Sequence, residues 1–405
     1  MTSPQSSWDA PAFRAEVQSA LDTFVDEQAR RLAPLGDDAA RLVDAARLVD
    51  QAAGVGPEGS ELGPPLVEER VQDLLDPVAE VGGVPGRHRL RLDSGPRAAG
   101  GAVVRRLSRM THVRGQSMRE LLARGDRSFS FEFFPPKDEV GEEQLWQAIT
   151  DLEPYGPTFV SVTYGAGGTT RDRTVAITER IARETSMLPV AHLTCVGHTT
   201  DEIAAILDDL GRAGVQHVMA LRGDPPGGPG TPWTPTDGGL TYANELVALI
   251  RERTDMRIGV AAFPEGHVDA ESLDHDARVL KAKQHAGAEF AVTDMVLRAS
   301  DYVALVDRAH AVGADLPIIP GIMPILNLRS MQRMVEFSRR QLPEEVTARL
   351  QPYADDPAGL RAEGIAIATE LCETLLEAGA PGLHFYTLNR SKATREIFAN
   401  LRITV

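Results

Sequence analysis

The sequence predicts a (β/α)8 barrel, and three observations point to that fold class. From residue 128 onward, short apolar runs rich in β-branched and aromatic residues alternate with segments of helical period. Eight such strand candidates occupy roughly 270 residues, which is the usual size of this barrel. Glycine closes several of the helical segments, as at Gly214, Gly287, Gly313 and Gly379. A doubly wound open sheet is the alternative, but eight strands without a second change in composition favour closure.

The strand and helix candidates follow one another in regular order. The strand candidates cover residues 128–134, 159–165, 189–196, 217–223, 257–263, 290–297, 317–323 and 382–388. The helical candidates cover residues 141–153, 171–184, 201–213, 241–253, 272–286, 301–313, 328–340, 359–378 and about 390–400. This alternation is the pattern expected of a parallel sheet with helices packed outside it.

The chain changes character near residue 118, which divides it into two parts. Residues 1–117 contain an amphipathic segment, a tandem AARLVD repeat and a glycine- and proline-rich linker, followed by an arginine-rich stretch at 84–127. That stretch fits an anion-binding segment, or else a disordered linker or sequence translated upstream of the true start, and we favour the latter pair. Two helices without an evident partner bury little surface, so we expect a poorly ordered N-terminal extension rather than a domain. Residues 118–405 form the predicted barrel domain, and we expect a chain that begins at Met118 to be stable and active.

Composition and charge limit the functional classes that fit the chain. Its net charge of −16 argues against general nucleic-acid binding. No apolar run approaches the roughly 18 residues of a membrane-spanning helix, and the N-terminus lacks the basic and apolar regions of a secretory signal. The two cysteines, Cys195 and Cys372, lie far apart and form no disulfide framework. We therefore expect a cytoplasmic protein.

Polar side chains cluster at the C-terminal ends of the strand candidates. In a (β/α)8 barrel these ends meet at one mouth, which is where active sites lie. The residues concerned come from separate strands along the whole domain: Glu132, Thr163, Tyr164, His192, Arg222, Asp224, Glu265, His267, Asp294, Asn389 and Arg390. We therefore predict that one barrel mouth brings them together.

The stretch SFSFEFF at residues 128–134 places one carboxylate among aromatic side chains. Because successive side chains of a strand point to opposite faces, Phe129, Phe131 and Phe133 share one face, while Glu132 shares the other with two serines. The aromatic face suits the helix layer, and the polar face suits the barrel interior. Burial would raise the pKa of Glu132, which fits a general acid. A carboxylate held structurally by a hydrogen bond or an arginine fits the same pattern.

Other polar motifs carry weaker signals. The stretch YGAGGTT at residues 164–170 lacks the last glycine of a dinucleotide-binding fingerprint, but it fits a turn at which a cofactor approaches backbone N–H groups. His192 alone is more typical of a core histidine than of a ligand. His267 and Glu265 have no matching cysteine or histidine spacing, so we predict no metal site.

Seven motifs, each on a different strand candidate, carry a resemblance to a known family. They are FEFFPPK, FVSVTYGAGG, AHLTC, ALRGDPP, GVAAFPEGH, IIPGIMPI and HFYTLNR, in this order within residues 128–401. With these motifs the chain resembles the methylenetetrahydrofolate reductase family. The resemblance implies a flavin-bearing barrel that reduces 5,10-methylenetetrahydrofolate to 5-methyltetrahydrofolate, using NADH or NADPH through FAD. The product would supply methyl groups for methionine synthesis, and family members are commonly homo-oligomers.

The resemblance also implies roles for individual residues. Glu132 matches the family's catalytic glutamate, which protonates the leaving nitrogen so that the substrate ring opens to an iminium before hydride arrives. Asp224 matches an aspartate near the flavin and the pterin, and Arg390 matches a residue that contacts folate. The implied flavin contacts fall on Thr163, Tyr164, Ala166, His192, Arg222, Gly223, Asp224, Ala243, Phe263, His267, Ala270, Asp276 and Lys283, with Lys283 serving the pyrophosphate. Because NAD(P)H and folate take turns on one flavin face, ping-pong kinetics are expected.

Asp294 departs from the family pattern. Many members carry a glutamine there that contacts the pterin, whereas an ionised aspartate accepts hydrogen bonds and does not donate them. Ala282 and Val279 stand where some members place polar flavin contacts. These departures keep a second hypothesis open, a folate- or flavin-binding barrel of the same fold with altered or lost reductase activity. A different flavin-dependent barrel enzyme is a remote third hypothesis, and the sequence does not distinguish NADH from NADPH.

Overall fold

The computed structural model describes residues 117–122, 128–164, 171–225, 231–232, 234–338 and 340–403. Residues 1–116 of the predicted N-terminal extension and residues 165–170 of the glycine-rich turn lie outside the described residues. The predictions for that extension and for a chain that begins at Met118 therefore stay predictions.

Eight parallel strands form a closed barrel, as the sequence predicts. Each strand pairs with the next one along the chain, and the last pairs with the first in a register that sets Glu132 opposite Tyr386. The bounds are β1 Ser128–Phe133, β2 Phe159–Val162, β3 Pro189–Thr194, β4 His217–Leu221, β5 Arg257–Ala262, β6 Phe290–Met295, β7 Ile318–Ile322 and β8 Gly382–Tyr386. Every predicted strand is present, and each ends earlier than its apolar run suggests.

Helices surround the barrel and follow the strands. Their bounds are α1 Met118–Leu122, α2 Glu139–Leu152, α3 Arg171–Glu184, α4 Thr200–Arg212, α5 Ala243–Arg253, α6 Leu273–Ala286, α7 Ala299–Ala311, α8 Leu328–Phe337, α9 Glu344–Leu350, α10 Pro357–Glu377 and α11 Lys392–Asn400. The sequence pattern predicts neither α1 nor α9, because 5 and 7 residues are too few for a recognisable helical period. Within the part of the chain that the structure describes, no helix is long and apolar enough to span a membrane.

Side-chain caps fix where several helices begin. Asp138, Ser272 and Asn327 each accept a hydrogen bond from a backbone N–H in the first turn of α2, α6 and α8. Thr199 and Glu202 form a capping box at the start of α4. Because helices in this fold begin after the C-terminal strand ends, these caps hold the loops that form the barrel mouth.

The side chains of β1 alternate between the helix layer and the interior, which confirms the predicted division of its two faces. Phe129 and Phe131 pack against Phe398 of α11, with ring centroids 4.9 and 5.8 Å away. On the other face, the Ser130 hydroxyl lies 2.8 Å from Nδ1 of His384 on β8. The strand therefore carries polar groups into the barrel while its aromatic face anchors the last helix.

Aromatic side chains fill the N-terminal end of the interior. Phe159 of β2 and Phe290 of β6 meet across the barrel, with ring centroids 5.7 Å apart. Gly259 on β5 leaves space for the Phe290 ring, because a Cβ atom there would lie 2.4 Å from it. The polar residues of the mouth therefore rest on a packed apolar floor.

Candidate active site

Glu132 lies at the C-terminal end of β1, where side chains from three other strands surround its carboxylate. The Oε2 atom accepts a hydrogen bond from the Ser161 hydroxyl of β2 at 3.3 Å. The Nε2 atoms of His192 on β3 and His384 on β8 each lie 3.5 Å from the same oxygen. Because only 10% of the Glu132 side chain is exposed, its protonation depends mainly on these neighbours.

The predicted rise in the pKa of Glu132 is wrong, because the neighbours reverse the effect of burial. Burial disfavours the carboxylate and is the largest single influence. The hydrogen bond with His384, the charges of the two histidines when they are protonated and the Ser161 hydroxyl together outweigh it and hold the pKa below its ordinary value. Glu132 is therefore ionised at neutral pH in the protein alone. A role as general acid requires that a bound ligand raise this pKa.

His384 is, with Ser161, one of the two members of this cluster that sequence reasoning missed. It is almost fully buried and stacks on Phe159, with the ring centroids 5.5 Å apart and the planes 15° from parallel. Its Nδ1 atom pairs with the Ser130 hydroxyl, so the ring is held from both sides. The period-two alternation of β8 puts Gly382, His384 and Tyr386 on one face, and this signal identifies His384 once β8 is paired with β1.

His192 faces the carboxylate as a neutral imidazole. Burial is the largest influence and lowers its pKa. The negative charge of Glu132 opposes that decrease without cancelling it, and repulsion from a protonated His384 adds to it. A neutral imidazole near a carboxylate can accept a proton, and the imidazolium so formed can release it again.

Two residues that follow β8 hold the backbone at Glu132 and just after it. The Thr387 hydroxyl donates a hydrogen bond to the Glu132 carbonyl at 2.6 Å. The Asn389 side-chain amide accepts from the Phe134 N–H and donates to the Phe134 carbonyl, both at 2.8 Å. Asn389 has a φ of 56°, a left-handed conformation that asparagine tolerates better than most residues. The TLN part of the last motif therefore fixes the strand end that carries Glu132.

Tyr386 connects the surroundings of Glu132 to the end of β6. Its hydroxyl donates a hydrogen bond to the Thr293 carbonyl at 2.6 Å, so its side chain passes across β7 inside the barrel. Gly321 of β7 leaves this passage open, because a Cβ atom there would lie 2.8 Å from the hydroxyl oxygen. Burial raises the pKa of Tyr386, and the negative charges of Glu132 and Asp294 add to the rise, so the phenol stays protonated.

A second group of predicted residues gathers after β5 around a buried lysine. Lys283 of α6 donates from Nζ to the Ala261 carbonyl at 2.9 Å and lies 5.9 Å from the centroid of the Phe263 ring. Phe263 meets the His267 imidazole edge-on, with centroids 4.7 Å apart. Asp276 of α6 supplies a negative charge near the ammonium group. We call this arrangement of Phe263, His267, Asp276 and Lys283 the lysine pocket.

Burial sets the charge states in the lysine pocket. It lowers the pKa of Lys283 to about 8, against the attraction of Asp276 and together with repulsion from Arg222. Burial likewise lowers the pKa of His267 and raises that of Asp276. A poorly solvated cation gains more from an anionic ligand than an exposed one does, so this pocket favours a phosphate group.

Arg222, Gly223 and Asp224 follow β4 at the rim. Arg222 donates from Nη1 to the Asp269 carboxylate at 2.9 Å. Gly223 has a φ of 82°, and a Cβ atom there would lie 2.4 Å from Val196 Cγ1, so the position requires glycine. Partial burial raises the pKa of Asp224, while the charge of Arg222 opposes the rise and that of Asp269 supports it.

Thr163 and Tyr164 follow β2, on the side of the barrel next to Glu132. The Tyr164 hydroxyl lies 3.0 Å from Nε2 of His198, and the tyrosine is buried. Thr163 is half-buried. Ala166 lies outside the described residues, so its predicted flavin contact stays a prediction.

Ala243, Ala270 and Arg390 occupy other points of the rim. Ala243 is buried at the start of α5. The Ala270 N–H donates to the His267 carbonyl at 2.9 Å, which places Ala270 beside the lysine pocket. Arg390 is exposed just after β8. In the described residues, the predicted cofactor contacts therefore extend along the strand ends from β2 to β5.

Asp294 of β6 is held by a residue that sequence reasoning did not identify. Its Oδ2 atom accepts from Nη1 of Arg340 at 3.1 Å, and its Oδ1 atom accepts from the Met295 N–H at 2.7 Å. Arg340 also donates to the Glu265 carboxylate at 2.6 Å. Arg340 lies between α8 and α9, outside any strand-end pattern in the sequence.

Comparison with known proteins relates the whole barrel to one family. The sequence model described as methylenetetrahydrofolate reductase matches residues 117–402. The chain is 38% identical over 295 residues to methylenetetrahydrofolate reductase (NADH) 1 of Arabidopsis thaliana, which is 70% of this chain and 50% of that protein. It is 37% identical over 288 residues to the 5,10-methylenetetrahydrofolate reductase of Escherichia coli, which is 71% of this chain and 94% of that protein.

The eukaryotic relatives are longer than the matched region. The chain is 38% identical over 277 residues to methylenetetrahydrofolate reductase 1 of Schizosaccharomyces pombe, which is 68% of this chain and 46% of that protein. It thus spans about half the length of the plant and yeast relatives and nearly all of the bacterial one. The matched region contains every strand of the barrel. The chain belongs to the methylenetetrahydrofolate reductase family.

Proposed function

We propose that the protein reduces 5,10-methylenetetrahydrofolate to 5-methyltetrahydrofolate, with electrons from NADH or NADPH that pass through bound FAD. The observation that carries this proposal is the buried carboxylate of Glu132 beside two imidazoles, on a strand that lies inside the family match. The names of the relatives support the reaction and the folate substrate, and the plant relative is named for NADH.

The proposed reaction needs an acid where Glu132 lies. The substrate carbon sits between two nitrogens of a five-membered ring, and one carbon–nitrogen bond must break before a hydride can reach that carbon. The departing nitrogen needs a proton, which a carboxylic acid can supply. A ligand in the mouth removes water from Glu132 and so raises its pKa toward the range of a general acid. His192 and His384 each lie 3.5 Å away, and either could return a proton to the carboxylate after first taking one up.

The lysine pocket and the neighbouring Arg222 fit the pyrophosphate of FAD. Burial holds the pKa of Lys283 at about 8, so an anionic ligand that keeps the ammonium protonated is favoured. Phe263 and His267 line the same pocket with ring surfaces. When bound, FAD would accept a hydride from the nicotinamide and pass it to the folate. The protein would hold the cofactor and shield the reaction from water.

Asp224, Asp294 and Arg390 are the proposed folate-binding residues. They follow or end β4, β6 and β8, so they lie at separate points around the mouth that Glu132 shares. Asp224 also lies next to Arg222 and would influence both the flavin and the pterin.

A folate- or flavin-binding barrel with altered or lost reductase activity is the second candidate. Asp294 favours it, because this aspartate stands where many family members carry glutamine and is held by Arg340. The residues around Glu132 do not distinguish a reductase from a binding protein, since a binding protein of the same fold can keep the same residues.

The visible absorption spectrum of the purified full chain tests the proposal. Bound flavin absorbs visible light, and under anaerobic conditions NADH or NADPH should bleach that absorbance. Addition of 5,10-methylenetetrahydrofolate should then restore it. Bleaching without recovery would favour the binding barrel. A colourless protein that also fails to oxidise NADH with this folate would contradict the proposed function.

A further inference from the structure

Arg340 joins its own segment to two strand ends at the barrel mouth. Its side chain is only 9% exposed. Its Nη2 atom donates to the Glu265 carboxylate at 2.6 Å and to the Met295 carbonyl at 2.9 Å, while Nη1 donates to Asp294 at 3.1 Å. One guanidinium group therefore connects the segment after α8 to the ends of β5 and β6.

Asp294 and Glu265 are the accessible members of this cluster, and Asp294 lies at the end of β6. The Asp294 side chain is 33% exposed, against 9% for Arg340, so the arginine lies behind the carboxylate. Each carboxylate oxygen has two acceptor positions. Oδ1 uses one for the Met295 N–H, and Oδ2 uses one for Arg340. One position remains on each oxygen, which is what two parallel N–H donors of a ligand require.

The pKa of Asp294 is raised overall, and Arg340 is the charged neighbour that opposes the rise and favours the accepting form. Burial in the mouth raises its pKa, the charge and hydrogen bond of Arg340 oppose the rise, and repulsion from Glu265 adds to it. Tyr386 is a further titratable neighbour, and it stays protonated. Without Arg340, the carboxylates of Asp294 and Glu265 would repel each other, and Asp294 would bind a proton more readily. A protonated carboxyl no longer accepts equally on both oxygens.

We propose that Arg340 is a positioning residue that holds Asp294 in the form and orientation that recognise the aminopyrimidinone edge of the folate. This inference rests on the proposed function, which supplies the folate. The edge carries an amino group next to a ring N–H, so it offers a carboxylate two parallel donors. Recognition of the pterin at β6 therefore depends on a side chain from the segment between α8 and α9.

A comparison of 5-methyltetrahydrofolate with its 2-desamino analogue tests the inference, because the analogue lacks the amino donor. Calorimetry on the full chain as purified gives the two dissociation constants, and their ratio measures recognition of the amino group. We expect the unmodified protein to prefer 5-methyltetrahydrofolate by about tenfold or more. Arg340→Met and Asp294→Asn should each reduce that preference to about threefold or less. Arg340→Lys keeps the charge and should retain part of the preference.

Arg361→Met is the matched control. Arg361 pairs with Glu396 through two hydrogen bonds of 2.7 and 2.9 Å between α10 and α11, so its replacement should leave the ratio unchanged. If Arg340→Met weakens both ligands at an unchanged ratio, Arg340 only supports the loop and the inference is overturned. A chain that binds both ligands equally well also overturns it, while the proposed function stands.

Two further outcomes complete the test. A chain that does not bind 5-methyltetrahydrofolate at all overturns the proposed function together with the inference. Circular dichroism shows whether Arg340→Met folds. If it does not fold, the test uses Arg340→Lys and Asp294→Asn instead. If both variants keep the full preference for 5-methyltetrahydrofolate over its analogue, the inference is overturned.

Discussion

The side-chain amide of Asn389 accepts a hydrogen bond from the Phe134 N–H and donates one to the Phe134 carbonyl, each 2.8 Å long. Phe134 follows β1 two positions after Glu132, so this pair joins the two chain segments that close the barrel. Asn389 makes both bonds at a φ of 56°. The position of the Glu132 carboxylate therefore depends on a residue that lies 255 positions after Phe134.

Asn389→Ala should lower the free energy of unfolding by roughly 2 to 3 kcal/mol. It leaves two part-buried backbone groups without partners and puts alanine at a positive φ. Urea unfolding followed by circular dichroism gives the value. Asn400→Ala removes one hydrogen bond of 3.2 Å, to Thr369, and should cost roughly 1 kcal/mol or less. Equal losses of unfolding free energy in the two variants would show that the two hydrogen bonds of Asn389 to Phe134 add no special stability.

Glu132→Gln should leave reduction of the flavin by NADH nearly intact and slow folate reduction by roughly 10² to 10⁴. The amide keeps the shape of the side chain and lacks the proton that the leaving nitrogen needs. Anaerobic stopped-flow absorbance separates the two half-reactions. Glu142→Gln, an exposed position on α2, should change neither rate. An equal loss in both half-reactions of Glu132→Gln would make Glu132 a structural residue.

His384→Phe should move the alkaline limb of the folate half-reaction to higher pH. The hydrogen bond and charge of His384 lower the pKa of Glu132 and burial raises it, so removal of the imidazole leaves burial dominant. A general acid loses activity as pH rises through its pKa, and a higher pKa extends the active range upward. Single-turnover reoxidation of the reduced protein by folate, measured across pH, gives the limb.

Ser161→Ala is the comparison for His384→Phe, because Ser161 has the smallest of the effects on the Glu132 pKa. It should shift the limb in the same direction and by less. A downward shift in His384→Phe would show that His384 does not stabilise the Glu132 carboxylate.

Lys283→Met should stabilise the flavin-free protein at neutral pH and weaken flavin binding. Burial lowers the folded-state pKa of Lys283 from 10.5 to about 8. The charged lysine therefore costs on the order of 3 kcal/mol below that pH. The cost is relieved as pH rises from the folded pKa toward the unfolded one, because the unfolded chain then binds more protons. The unmodified protein should gain stability over that range, and Lys283→Met should not.

Urea unfolding of flavin-free protein from about pH 7 to about pH 10 measures this difference. Lys281→Met, on the same helix, should keep the pH dependence of the unmodified chain. A loss of stability in Lys283→Met at neutral pH would mean that packing of the lysine stem outweighs the cost of its charge.

The barrel follows from local patterns in the sequence. Phe129 and Phe131 alternate with Ser130 and Glu132, and that period alone separates the helix-facing side of β1 from the interior. The helical period and the glycines at helix ends are likewise signals that can be recognised within a few neighbouring residues. The short helix α9 escapes this reasoning, because its 7 residues hold too little period to recognise.

The electrostatics of the mouth do not follow from local patterns. The pKa of Glu132 depends on His384 and Ser161, which approach it only when β8 and β2 take their places beside β1. Asp294 depends on Arg340, which stands at the end of the predicted helix 328–340, beyond the observed end of α8, where no pattern points to the barrel mouth. A single sequence indicates which strand end carries a polar side chain. Which residue contacts that side chain is determined only when the strands close into the barrel.

The pairing of β8 with β1 also governs when the protein can acquire its activity during synthesis. The ribosome makes β1 first and β8 last. The edge of β1 that pairs with β8 therefore stays unpaired while the other strands are synthesised. Until then Glu132 has neither the Thr387 hydroxyl on its carbonyl nor His384 beside its carboxylate. A nascent or C-terminally shortened chain can hold every strand before β8 and still lack the assembled centre. Maturation is complete only when the two ends of the barrel meet.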